Sequence, residues 1–149
     1  MNPATPHRTL VVANRTAATP LLIEEVTRRA HERPTRFALL IPDAPSRKHA
    51  DWTLELGTQR LARAAGAPVE GLAGGRDPFA SIKHVLAGSR FDDVIISTLP
   101  SRTSEWLRRD LPRRVERLGV PVTVITPDDH DQQLSNLVRA GMITGGGVG

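Results

Sequence analysis

Five short apolar runs, separated by longer stretches of helical period, constrain this chain more than any other feature of it. The runs fall at residues 8–14, 36–41, 68–73, 91–97 and 120–126. They are short and rich in β-branched residues, the pattern of strands buried on both faces. Strands that alternate with helices in this way call for a parallel sheet covered on both sides, joined by right-handed crossovers. The expected fold is therefore a doubly wound, five-stranded α/β sheet with the first strand central. Residues 8–127 are expected to form one domain, and residues 128–149 a C-terminal extension that is partly flexible.

The segments between the runs carry start and stop signals. Thr19-Pro20 places a capping residue before a proline at the first helical position. Leu22, Val26 and Ala30 then repeat at four-residue spacing, with Ile23 beside them, and Pro34 closes the segment. Glu24 and Glu25 lie early and Arg28, Arg29 and Arg33 late. This suits the helix dipole and predicts the pairs Glu24–Arg28 and Glu25–Arg29. Pro42 stops the second strand. A second helix is expected over 50–65, with Leu54, Thr58, Leu61 and Ala65 on one face and Gly66 after it. Asp77-Pro78 repeats the cap-and-proline start for a third helix, whose inner face holds Phe79, Ile82, Val85 and Leu86. Pro112 breaks any continuous helix over 98–119. An irregular first part is expected there, followed by a helix capped by Asp110.

Composition removes several functional classes. Five aromatic residues among 149 leave no set of platforms for stacking bases. With zero cysteines there is no disulfide, thiolate nucleophile or cysteine metal site. No apolar run approaches the roughly 20 residues of a membrane span. The first residues lack the charged and apolar regions of a signal peptide. Neither a membrane nor a nucleic acid is expected as partner, and a cytoplasmic location is expected. All but Lys48 and Lys83 of the 20 basic residues are arginine, so a pI near 10.9 accompanies a net charge of only +4.

Ligands of doubly wound sheets sit outside the carboxyl ends of the strands. That rule singles out Asn14, Arg15 and Thr16 after the first strand. After the fourth it singles out the hydroxyl-rich segment with Ser97, Thr98, Ser101, Arg102 and Ser104. Hydroxyls and a guanidinium can hold an anion without glycines. The turn from Gly74 to Pro78 lacks the spacing of a phosphate loop. Asp128-Asp129-His130-Asp131 is too local to close a metal's coordination sphere, and the glycines from 145 to 149 read as a tail. Asp92-Asp93 opens a strand and is read as a loop pair rather than an acid/base dyad. There is no G-x-S-x-G nucleophile elbow.

The element order resembles that of the universal stress proteins. So do the opening strand running into Asn14-Arg15-Thr16, Gly74 ahead of Asp77-Pro78, and the passage from Asp92 through Ser97 to Gly119 and Val120-Pro121-Val122. The resemblance spans about residues 8–127. It implies a flavodoxin-like fold with strand order 3-2-1-4-5, a role in stress response, and a homodimer. The dimer would form through the fifth strand, from Val120 to Thr126. ATP-binding members carry G-x2-G-x9-G-(S/T) after the fourth strand and an adenine-contacting aspartate after the first. Here those places hold Ser97, Pro100, Asp110 and Leu111, and Asn14. A side chain obstructs backbone approach to phosphate, proline has no N–H, and an aspartate at a helix start repels an anion. The expectation is a non-catalytic module without cofactor, dimeric, acting with a protein partner the sequence does not identify, and not binding ATP tightly. One alternative is a nucleotide-binding stress protein with an atypical phosphate loop. Another is an enzyme of the α/β nucleotide-hydrolase group, although neither His-x-Gly-His nor Ser-Gly-Gly-x-Asp-Ser is present.

Overall fold

Proline and aspartate set the helix starts in the computed structural model of the chain. The structure describes residues 5–13, 19–42, 47–98 and 105–126; within 47–53 it describes the backbone only. The elements run β1 (His7–Val12), α1 (Pro20–Glu32), β2 (Thr35–Ile41), α2 (Arg47–Ala65), β3 (Glu70–Ala73), α3 (Pro78–Gly88), β4 (Asp93–Ser97), α4 (Glu105–Arg108), α5 (Leu111–Glu116) and β5 (Val122–Ile125). Thr19 precedes α1 in extended conformation, with Pro20 at the first helical position. Asp77 caps α3 with its side chain, accepting from the amides of Phe79 and Ala80 at 3.0 and 3.4 Å. Gly66 ends α2 at φ +69, where any Cβ would strain the turn, and its amide donates to the Ala62 carbonyl.

The strands form one parallel sheet in the order β3-β2-β1-β4-β5. This is the order the family resemblance implies, with β1 central. Successive residues of β1 point to opposite faces and fill two cores. Val11 packs with Leu22, Val26, Leu39, Leu61 and Ile95 beneath α1 and α2. Leu10 and Val12 pack with Leu40, Ile82, Val94, Ile96 and Val115 beneath α3 and α5. The chain turns from one half of the sheet to the other between β1 and β4, whose register pairs Val12 with Ile96.

Three local expectations need correction. Val122 and Val124 are not buried as the continuous apolar run suggests: Val122 is half-buried and Val124 is 39% exposed. Among the described residues β5 has one neighbour, β4, and the short α5 packs over its Val122 end. Arg28 pairs with Glu25 and Glu32 rather than Glu24, while the expected Glu25–Arg29 pair forms at 2.9 Å. Asp110 stands at the start of α5, but its carboxylate makes no capping bond. Its backbone is left-handed, φ 58 and ψ 36, whereas a side-chain cap needs an extended residue. It is instead the joint between two short helices. Its amide donates to the Leu107 carbonyl and its own carbonyl accepts from Arg114. Its carboxylate lies 4.0 Å from Arg113 Nε. Asp110 therefore opposes an anion by charge alone, without occupying helix amides.

Candidate functional site

The carboxyl ends of β1 and β4 meet where strand order reverses, the position that binds ligands in sheets of this kind. Ala13 closes β1 with its amide donating to the Leu40 carbonyl. Beside it, Ser97 and Thr98 end β4, both only 1% exposed. The Thr98 amide donates to the Ile125 carbonyl, and its hydroxyl lies 2.6 Å from that of Thr126. Of the candidate residues, the structure brings Ser97 and Thr98 to this point. Asn14, Arg15, Thr16, Ser101, Arg102 and Ser104 lie outside the described residues, as does Pro100.

At the same end of the sheet, with β2 between it and β1, the end of β3 forms a tight turn. The Gly74 amide donates to the Ile41 carbonyl, and a Cβ at Gly74 would lie 2.8 Å from Ser81 Oγ and 3.1 Å from Pro42 Cα. Only glycine fits. Ser81, nearly buried, accepts from the Gly75 amide and donates to the Asp77 carbonyl. The turn is thereby fixed against α3. Ser81 and Thr126 are the residues that sequence reasoning did not single out here. Their one signal was a hydroxyl set in an apolar stretch.

The opposite, amino end of the sheet carries a charged network. Asp93 Oδ1 accepts from Thr9 Oγ1 at 2.6 Å, and Oδ2 accepts from Arg29 Nη1 at 2.6 Å. Arg29 also donates to Glu25 and, through Nη2, to Thr123 Oγ1 at 2.8 Å. The Arg29 and Asp93 side chains are each 14% exposed. His7 Nε2 lies 3.2 Å from Asp93 Oδ1 but is not aligned for a hydrogen bond. Hydrogen bonds from Arg28 are the main cause holding the Glu25 carboxyl below its ordinary range. Arg29 adds to this and burial opposes it. Asp92 is lowered chiefly by the Arg8 amide donating to it at 2.8 Å. The Asp92-Asp93 pair is thus divided between two jobs, and the Asp93 carboxylate is spent on structure. Among the described residues no group of three or more His, Asp or Glu side chains is placed to hold a metal ion. No helix among them is long and apolar enough to cross a membrane.

Two solved structures share the architecture. One is a universal stress protein in complex with cAMP, with a TM-score of 0.56 and 14% identity over 83% of this chain and 98% of that one. The other is a universal stress protein from Archaeoglobus fulgidus, with a TM-score of 0.54 and 16% identity over 81% and 93%. The chain folds like a universal stress protein. Neither a protein-family model nor any curated protein sequence matches it. The universal-stress-protein likeness spans nearly the whole of both solved chains while identity stays near one residue in seven. What is shared is thus the order and packing of elements.

Proposed function

We propose that this chain is a non-catalytic module of universal-stress-protein type that acts as a homodimer with a protein partner, and that it does not bind ATP tightly. The observation that carries the reading is the state of the places where ATP-binding stress proteins have glycines. Ser97 puts a side chain there, buried at the end of β4. Asp110 keeps a glycine-like left-handed backbone but adds a carboxylate at the start of α5. Pro100, at the third place, has no amide to donate. Losing one charge-assisted hydrogen bond costs about 1.5–3 kcal/mol, so two such losses weaken a nucleotide by roughly a hundredfold or more. Dimerisation through residues 120–126 fits the exposed Val124 and the place of β5 at the edge of the sheet formed by the described residues.

Calorimetry with Mg-ATP tests the first part: no binding tighter than about 100 µM is expected, equivalent to about −5.5 kcal/mol. Tight binding that falls with Arg102→Ala overturns it. Sedimentation at high micromolar concentration tests the second part, where a monomer overturns it. One observation favours a second reading, in which an atypical crevice takes a nucleotide: a protein of the same fold has been solved with cAMP. Titration with cAMP in the same calorimeter separates the two. Replacing Ser97, Pro100 and Asp110 by glycine together should strengthen ATP binding if the missing glycines are what excludes it.

A further inference from the structure

The amino end of the sheet carries a surface that the crevice does not use. An open hollow of about 600 Å³ lies between the last turns of α3 and the turn leading into β5. Leu86, Phe91, Leu118 and Val120 give its lining an apolar part beside polar surface, and Lys83 and Arg90 also line it. Leu118 is 39% exposed. A second hollow of about 330 Å³ shares Phe91 with the first and adds Arg8, Arg36 and Glu70. The Arg8 guanidinium lies over the Phe91 ring, 4.7 Å from its centroid, at the point where the two meet. Four cations and one carboxylate therefore line the two hollows beside their apolar residues. Asp92, next in sequence to Phe91, is engaged by the Arg8 amide and lies 3.7 Å from His7 Nδ1.

We propose that this groove, lined by cations and apolar residues, is a docking surface for an acidic segment of a partner protein, with one or two apolar side chains seated over Phe91 and Leu118 and carboxylates on Lys83 and Arg90. Charge complementarity selects this occupant. A second copy docked by two-fold symmetry on the same patch would bring its cations onto these. A single-stranded nucleic acid would need several stacking platforms, whereas of the two aromatics lining these hollows Phe37 is buried and Arg8 already covers one face of Phe91. The inference rests on the partner-acting reading above; it lies at the other end of the sheet from the crevice and shares only Val120 with the proposed dimer edge. Nucleotide titration and sedimentation can therefore fail without touching it, and it can fail without touching them.

The test is selection of short random peptides on the full chain, followed by affinity measurement of the enriched sequences. Acidic peptides with a Leu, Ile, Phe or Trp are expected. Their affinity should drop about tenfold or more in Lys83→Glu/Arg90→Glu and in Leu118→Asp, and should weaken with added salt. It should be unchanged in Arg60→Glu/Arg63→Glu, two exposed cations on α2 that together carry the same charge change as the Lys83/Arg90 pair. All these side chains are exposed, and urea midpoints equal to the parent's verify folding. If Leu118→Asp fails that check, the charge-reversed pair decides alone. The proposal is overturned if no peptide is enriched, if those enriched lack acidic bias, or if their binding survives charge reversal. It is also overturned if an oligothymidylate or a phosphatidylglycerol vesicle binds through the same residues more tightly than any peptide.

Discussion

The two ends of the sheet treat their polar groups in opposite ways. At the amino end charges are tied to one another: Asp93 to Thr9 and Arg29, and Arg29 to Glu25 and Thr123. At the carboxyl end the polar groups beside the strand ends include several hydroxyls, Ser97 at the end of β4, Thr98 just after it, Thr126 after β5 and Ser81 on α3, along with the capping Asp77. A partly buried ion pair fixes geometry because separating it leaves an uncompensated charge. A hydroxyl accepts or donates as required and turns at little cost. Breaking the ion pair at the amino end should therefore cost more stability than removing a single hydroxyl or cap at the carboxyl end.

The sharpest way to break this contrast is Arg29→Met. It removes one partner of a pair that is mostly buried, and a loss of about 3 kcal/mol is expected in urea denaturation. A loss below about 1 kcal/mol would place the amino-end network among ordinary surface pairs. Thr98→Val comes next, with a loss of about 1–2 kcal/mol from stranding the Thr126 hydroxyl. The double change with Thr126→Val should recover part of it, because replacing both partners is milder than removing one. Asp77→Ala should cost about 1 kcal/mol by uncapping α3. At the joint between α4 and α5, Asp110→Gly should be neutral or stabilising by less than about 1 kcal/mol, since glycine accepts the left-handed backbone that aspartate only tolerates.

The smallest effect concerns acid. The folded Glu25 carboxyl titrates below its ordinary value of 4.5. Its contribution is therefore complete above that value and is lost as pH falls below it through the folded value. Glu25→Gln should flatten the stability profile below about pH 4.5, by less than about 1 kcal/mol, because its main partner Arg28 is half exposed.

The order of elements was legible because each boundary has a local chemical cause. Pro20 and Pro78 fit the first helical position, Asp77 reaches its helix amides, and Gly66 takes a positive φ. The central position of β1 follows from its unbroken apolar run, since Leu10 to Val12 face helices on both sides. The exposure of Val124 was not legible, because valine spacing is the same in an edge strand as in a central one. Only the sheet order reveals that β5 has one neighbour among the described residues. Asp110 misled for a related reason. Aspartate before a helix usually caps it, yet here a reversal between two short helices sets the backbone first and turns the carboxylate away. At the candidate site, position alone pointed to Ser97 and Thr98. Their partners could not be read, because Thr98 meets a residue 28 positions away. The Arg29–Asp93 pair spans 64 positions and left no periodic trace.

Arg29 also sets an order of events. It sits on the first helix, yet one of its partners, Thr123, lies 94 residues later on β5. During synthesis the first helix and the first two strands leave the ribosome long before that strand exists. Through that interval the guanidinium has Glu25 as a partner but neither Asp93 nor Thr123. Closing so long a loop is entropically slow. The nascent chain therefore carries an open edge beside β4 until β5 arrives, and a chain stopped short of residue 122 would lack the strand that pairs there. Such a fragment is expected to attract chaperones or proteases rather than to form a smaller version of the same fold.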